Sequence, residues 1–247
     1  MKPPIRAALL LSALSAMTEV VSAVDPPGSA RLSEVRQRRE AQVKASCAEH
    51  LVRYGAPIFI RIFKETRALE LWMEKAPGGE FRLFKTYTIA TWGGKDLGPK
   101  QKEGDGQAPE GFYSVSASKM NPNSAYHLSF DIGYPNAFDR SLNRTGSFIM
   151  VHGREVSVGC FAMTDPVIEE IYLLADAALR GGQREIGVHV FPFEPTAKRL
   201  EMSADSPWSG FWRQLQAGWL AFEKTHRPPR VSVPQAGVYE VTAEKGR

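Results

Sequence analysis

The sequence predicts a mostly β protein with flanking helices, an α+β fold, on three observations. Apolar and polar residues alternate with period two through the middle of the chain. Gly/Pro clusters separate those runs. Two segments with helical apolar spacing, one after Thr164 and one after Pro195, stand apart from the β pattern.

With 247 residues, 43% hydrophobic and 23% charged, the composition is that of an ordinary globular chain, not a disordered, collagen-like or polytopic membrane one. It is long enough to bury a core without disulfides or metal. The two cysteines, Cys47 and Cys160, are too few for a disulfide framework or a Cys-rich zinc site. His50, His189 and His226 show no paired ligand spacing, so neither metal nor cofactor is expected.

Residues 1–23 read as an export signal. Lys2 and Arg6 form a positive start, Ala7 to Met17 is apolar or small, and Val21-Ser22-Ala23 offers a cleavage site. The run is too short to span a bilayer, and no second apolar run of spanning length follows, so no transmembrane anchor is expected after cleavage. Removing Lys2, Arg6 and Glu19 leaves 29 basic and 26 acidic residues, a net +3. That balance argues against nucleic acid as the main partner. The expected location is the periplasm.

Residues 24–55 read as a linker and an amphipathic helix. DPPGS (25–29) is the linker, and Leu32, Val35, Val43, Cys47 and Leu51 recur at mostly helical spacing. The intervening Arg36, Arg38, Arg39 and Lys44 are expected to form a solvated face, with steering toward an anionic envelope polymer as the alternative.

Residues 56–193 carry the strands. Ile58, Ile60 and Ile62 alternate with Phe59, Arg61 and Phe63, and Leu69, Leu71 and Met73 alternate with Glu70 and Trp72. Residues 76–79 are a turn, Phe81 to Ala90 continues the pattern, and Phe112–Ser116, Ser147–Val151 and Ile186–Phe191 are further strands. A helix opens with Asp165 as its cap and Pro166 at its first position. Glu169 and Glu170 favour its N-terminal dipole. Ile168, Ile171, Tyr172, Ala175 and Leu179 form its buried face, and Gly181 ends it. Residues 194–247 form a C-terminal extension whose helix carries Trp208, Phe211, Trp212, Leu215, Trp219 and Phe222, a stripe read as packing.

Chemistry concentrates between Val151 and Met163. A cysteine nucleophile needs a base, and neutral imidazole is the usual one. His152 follows a strand, Cys160 comes eight residues later, and Gly153 and Gly159 let the loop fold back. His152 then either takes the thiol proton or stabilises thiolate as imidazolium. Amides near Ser157 to Cys160, with Gly159 permitting close approach, could face a developing oxyanion. Ser157 orients the histidine or shapes the turn.

The segment HG-x3-S-x-G-C (152–160) resembles the active-site signature of the L,D-transpeptidases of YkuD type. Gly104-Asp105-Gly106-Gln107-Ala108-Pro109-Glu110-Gly111-Phe112-Tyr113 resembles that family's GD-x-x-TPEG-x-Y block, with Ala108 where threonine is usual. Ser124, Tyr126, His127, Ser129, Phe130, Tyr134, Pro135, Asn136 and Asp139 match the S-x-YH-x-SF-x-x-x-YPN-x-x-D stretch of the YafK-like murein subgroup. The resemblance spans roughly Ala56 to Tyr239. It implies a β-sandwich or barrel catalytic domain acting on peptidoglycan stem peptides, with Cys160 as nucleophile and His152 as general base. Tyr126, His127, Tyr134 and Arg154 are the substrate-binding candidates. Ala162 departs from the arginine that usually follows the GC pair, which leaves donor and acceptor open. Transpeptidation and amidase release of a murein-linked outer-membrane lipoprotein from diaminopimelate would use the same thiol. A third reading is a non-catalytic stem-peptide-binding protein with Cys160 locked to Cys47 in a disulfide.

Overall fold

Two five-stranded sheets and a terminal hairpin, clasped by helices, make up the fold in this computed structural model, which describes residues 25–94 and 96–244. The reading of residues 1–23 as an export signal lies outside the described residues. In chain order, α1 (Ala30–Glu49) precedes β1 (Ile58–Phe63), β2 (Ala68–Glu74), β3 (Phe81–Thr88), β4 (Thr91–Trp92), β5 (Gly111–Ser116), β6 (Met120–Asn121) and β7 (Ser129–Asp131). Then come α2 (Ala137–Ser141), β8 (Met150–His152), β9 (Phe161–Ala162), α3 (Asp165–Arg180) and β10 (Glu185–Phe191). The chain finishes with α4 (Ala197–Glu201), α5 (Ser209–Thr225), β11 (Arg230–Gln235) and β12 (Val238–Thr242).

The first sheet runs β3-β2-β1-β10-β5, with β1 and β10 parallel. Every residue of β1 is buried. Its alternation therefore divides two cores rather than core from solvent. Ile58, Ile60 and Ile62 face the main cluster with Ile168, Ile171 and Tyr172 of α3. Phe59 and Phe63 face the aromatic clusters built on α5. The second sheet runs β4-β9-β8-β7-β6, with β8 and β9 parallel. The fold is α+β as expected, but the two sheets do not close into a barrel.

Three helix details differ from the sequence expectation. Leu51 is not on the face of α1: it lies past the helix end at φ 54° and is 74% exposed. Ser29 caps that helix by accepting from the Leu32 N–H. The arginines of α1 are not a free solvated face. Arg36 pairs with buried Asp176 at 2.5 Å and Arg38 with buried Glu169, both on α3. The cap of α3 is Thr164, not Asp165. The Asp165 carboxylate instead accepts from the Arg154 N–H at 2.8 Å and so braces the loop after β8.

The aromatic stripe of α5 is packing. Phe211, Trp212 and Leu215 join Phe63, Phe112, Phe191 and Tyr239, while Phe222 meets Phe59 and Phe81. Beneath it lies a fully buried ion pair. Lys64 Nζ reaches Glu110 Oε1 at 2.9 Å and the Gly98 and Ala108 carbonyls, and Glu110 Oε2 accepts from Trp212 Nε1 at 2.7 Å. The Pro109–Gly111 block is thereby tied to β1 and α5. Upstream, burial alone would raise the Asp105 carboxyl. Lys100 and the N–H groups of Lys102, Gln101 and Gln107 nonetheless hold it at about 2, which closes the 101–107 turn.

His189 on β10 is 5% exposed, between the rings of Phe59 and Phe112 at 4.7 and 4.5 Å. Burial, with the nearby Arg61 charge, lowers its pKa to about 3. The folded protein therefore keeps it neutral, whereas the unfolded chain takes up its proton near pH 6.5. Its stability contribution is complete above pH about 6.5 and declines as pH falls toward 3, at up to about 1.4 kcal/mol per pH unit. Urea unfolding at pH 7, 5.5 and 4.5 should show a steeper decline in the parent than in His189→Phe. Equal slopes would contradict this account.

Candidate active site

The parallel pairing of β8 with β9 sets Val151 beside Phe161 and His152 beside Ala162. Cys160, one residue before β9, therefore lies level with Met150. The Met150 N–H points to Cys160 Sγ at 3.3 Å. His152 is one pleat further along β8, so both side chains line one cleft of about 470 Å³. Its floor includes Asn121, Ser124 and Ser129, and its wall includes Tyr126, Phe148, Val156 and Val158.

The loop between the two strands is held by short-range bonds. Ser157 Oγ accepts from the Cys160 N–H at 2.9 Å and donates to the Cys160 carbonyl at 2.8 Å. Ser157 thus fixes the backbone of Cys160 rather than the imidazole. The same bond commits the Cys160 N–H, so that amide does not serve as a free oxyanion donor. Gly159 sits at φ 95°, and its loop packs on Gly93, where an added Cβ would lie 1.9 Å from the Gly159 nitrogen. Gly153 donates to the Tyr126 and Leu128 carbonyls at 3.1 Å each.

His152 is 3% exposed, and its Nδ1 lies 2.6 Å from the Gly153 carbonyl. A carbonyl only accepts, so Nδ1 carries the proton and Nε2 keeps a lone pair, the tautomer of a base. Burial lowers the His152 pKa against the opposing pull of that carbonyl. Burial also pushes the Cys160 thiol up, with Asp131 adding to the rise, against the Met150 N–H and Lys100. Both causes favour the uncharged forms. A standing thiolate–imidazolium pair is therefore disfavoured in the resting cleft.

The substrate-binding candidates divide. Tyr126 lines the cleft, 44% exposed, with its ring 4.8 Å from that of His152. Arg154 is at the rim, its guanidinium 5.8 Å from the Tyr126 ring. Tyr134 is not in the cleft. It is 3% exposed, and its hydroxyl bonds the Thr145 carbonyl at 3.2 Å. It belongs with Asn136 and Asp139, whose capping box starts α2, to a structural corner. His127 also turns away from the cleft lining, to Glu169 Oε1 at 2.8 Å. Gly93, Met150 and Ser129 were not foreseen as site residues. Ser129 alone carried a signal, as part of the S-x-YH-x-SF stretch.

Both cysteines are free, Cys47 buried in α1 and Cys160 in the cleft wall, so the Cys47–Cys160 disulfide expected on the non-catalytic reading is absent. Burial, with Glu170 nearby, raises Cys47 to about 11. A thiol-disulfide reagent at pH 8 should therefore titrate one thiol in the folded protein and a second only after denaturation. Two protected thiols in the native protein would contradict this. Among the described residues no three His, Cys, Asp or Glu side chains gather as a metal site.

Residues 59–187 match the YkuD family, the L,D-transpeptidase catalytic domain. A relative in Escherichia coli K12, named "Putative L,D-transpeptidase YafK", is 42% identical over 179 residues, 72% of each chain. The chain belongs to the L,D-transpeptidase catalytic domain family. His152 and Cys160 both fall inside the matched residues. Among solved structures, the helical cell shape determining protein Pgp2 (K307A mutant) of Campylobacter jejuni aligns with TM-score 0.45 and 20% identity, over 76% of this chain and 64% of that one. Bdellovibrio bacteriovorus Bd1075 aligns with TM-score 0.37 and 24% identity, over 56% and 48%. Membership of an L,D-transpeptidase family gives the chain a peptidoglycan-related role. Among the described residues no helix is long and apolar enough to cross a membrane.

Proposed function

We propose that the protein is a periplasmic cysteine L,D-transpeptidase that acts on peptidoglycan stem peptides through a Cys160 acyl-enzyme. The observation that carries this reading is the shared cleft in which a neutral imidazole, its proton fixed on Nδ1, accompanies the only cleft thiol among the described residues. His152 Nε2 takes the Sγ proton as sulfur attacks the carbonyl of the L-centre residue. The carbon–nitrogen bond then breaks, and the departing amine takes the proton from His152. In the second half an acceptor amine, deprotonated by the same nitrogen, attacks the thioester, and the carbon–sulfur bond breaks as Sγ takes that proton back from His152. Water in place of that amine turns the enzyme into an amidase. Export rests on the sequence features of residues 1–23.

The test is incubation with purified muropeptides and lipoprotein-linked peptidoglycan, with products read by mass. Joined peptides support transpeptidation, and released lipoprotein or trimmed stems support hydrolysis. Unchanged substrates in every case would overturn the enzyme reading.

A further inference from the structure

Ser129 is 1% exposed, lines the catalytic cleft, and its hydroxyl has no hydrogen-bond partner among the described residues. An orphaned buried hydroxyl is costly, and native folds leave few of them. Its polar neighbours on the floor each have a partner: Ser124 Oγ accepts from the Tyr126 N–H, and Asn121 Oδ1 from the Asn123 N–H.

The strand register says where this hydroxyl acts. Asn121 pairs with Ser129 across β6 and β7, and Ser129 pairs with His152 across β7 and β8. Directly opposed residues of an antiparallel pair project from the same face with Cβ atoms about 5 Å apart. A chain laid over the imidazole therefore passes over the Ser129 hydroxyl within roughly one peptide unit. The occupant's chemistry is also constrained. Among the described residues no Asp, Glu, Lys or Arg lines this cleft, and the guanidinium of Arg154 stands at its rim. A charged group on the floor would touch no counterion among those lining residues, whereas a main-chain amide offers the donor and acceptor that one hydroxyl can meet.

We infer that Ser129 is a substrate-binding residue whose hydroxyl bonds the uncharged main-chain amide of the peptide beside the scissile bond. This rests on the reading of the cleft as a stem-peptide site. It assigns the floor to the backbone and leaves the charged ends of the stem beyond the rim.

The test compares Ser129→Ala with the parent on a soluble stem tetrapeptide, alongside thermal unfolding and the rate of Cys160 alkylation by iodoacetamide against pH. Losing one substrate hydrogen bond should lower kcat/KM about three- to tenfold, mainly through KM. Because the hydroxyl has no partner in the free protein, Tm should be unchanged or higher. The alkylation profile should match the parent, since neither Sγ nor the imidazole loses a partner.

Turnover within twofold of the parent would overturn the inference while leaving the Cys160 reading intact. An alkylation profile shifted in step with turnover would also overturn it, by showing that Ser129 acts through His152. A clear fall in Tm would assign the hydroxyl a structural role instead. Failure of the underlying reading is separate and visible: Cys160→Ala would then turn over the tetrapeptide like the parent.

Discussion

Replacing Cys160 by Ala should lower turnover of stem peptides by at least about 10³-fold, as removal of a nucleophile that works with its base does elsewhere. The thiol is half-buried, and its polar contacts are the Met150 N–H at 3.3 Å and the Phe148 carbonyl at 3.6 Å. Its loss should therefore cost no more than about 1 kcal/mol of stability. His152→Ala should be nearly as damaging, and the double variant little worse than either single one, because base and nucleophile act in one step. The acid limb of the kcat/KM profile should lie below pH 6.5, since burial lowers the pKa of His152 and only neutral imidazole accepts the proton. Steady-state rates with a fluorogenic or chromatographically resolved stem peptide check both statements. Near-parent turnover in Cys160→Ala would end the cysteine mechanism.

The largest stability effect is expected away from the chemistry. Glu110→Leu leaves the ammonium of Lys64 buried without its carboxylate and removes the acceptors of Trp212 Nε1 and the Gly98 N–H. Breaking one side of a buried pair costs about 3–5 kcal/mol. Lys64→Met should cost a comparable amount, and the double variant should recover much of the loss, because no uncompensated charge remains. Urea unfolding followed by tryptophan fluorescence reads this directly. A loss below about 1 kcal/mol in Glu110→Leu would mean that the pair does not hold β1, the 109–111 block and α5 together. Glu110 stands in the family's GD-x-x-TPEG-x-Y block, and its side chain holds Lys64, the Gly98 N–H and Trp212.

The longer elements were legible because each carries a period that only one structure satisfies. β2 alternates cleanly, α3 keeps a buried stripe from Ile168 to Leu179, and α5 sets its aromatics at helical spacing. β4, β6 and β9 were not legible, since two residues show no period. The hairpin of β11 and β12 left a weak signal because β11 is mostly exposed and carries Pro234, and β12 is only five residues long. The partners of the α1 arginines could not be read because they lie more than 130 residues away on α3.

The site divides along the same line. His152 and Cys160 are joined by a short loop, so their meeting was visible in the spacing. Tyr134 and His127 were grouped with them by motif, and their burial partners, Thr145 and Glu169, took them elsewhere. Ser129 lies in a motif, but its place beside His152 comes from strand pairing, and Gly93 meets the Cys160 loop only through packing.

The central claim, a thioester on Cys160, is open to one direct measurement. The parent and Cys160→Ala are each mixed with a stem tetrapeptide without an acceptor amine, quenched in acid within seconds, and weighed intact before peptide mapping. The account predicts a mass gain equal to the acyl part of the donor on the parent, located by mapping to the peptide containing Cys160 and released by hydroxylamine, with none on Cys160→Ala. Turnover with no adduct at Cys160, or an adduct that persists in Cys160→Ala, would contradict it.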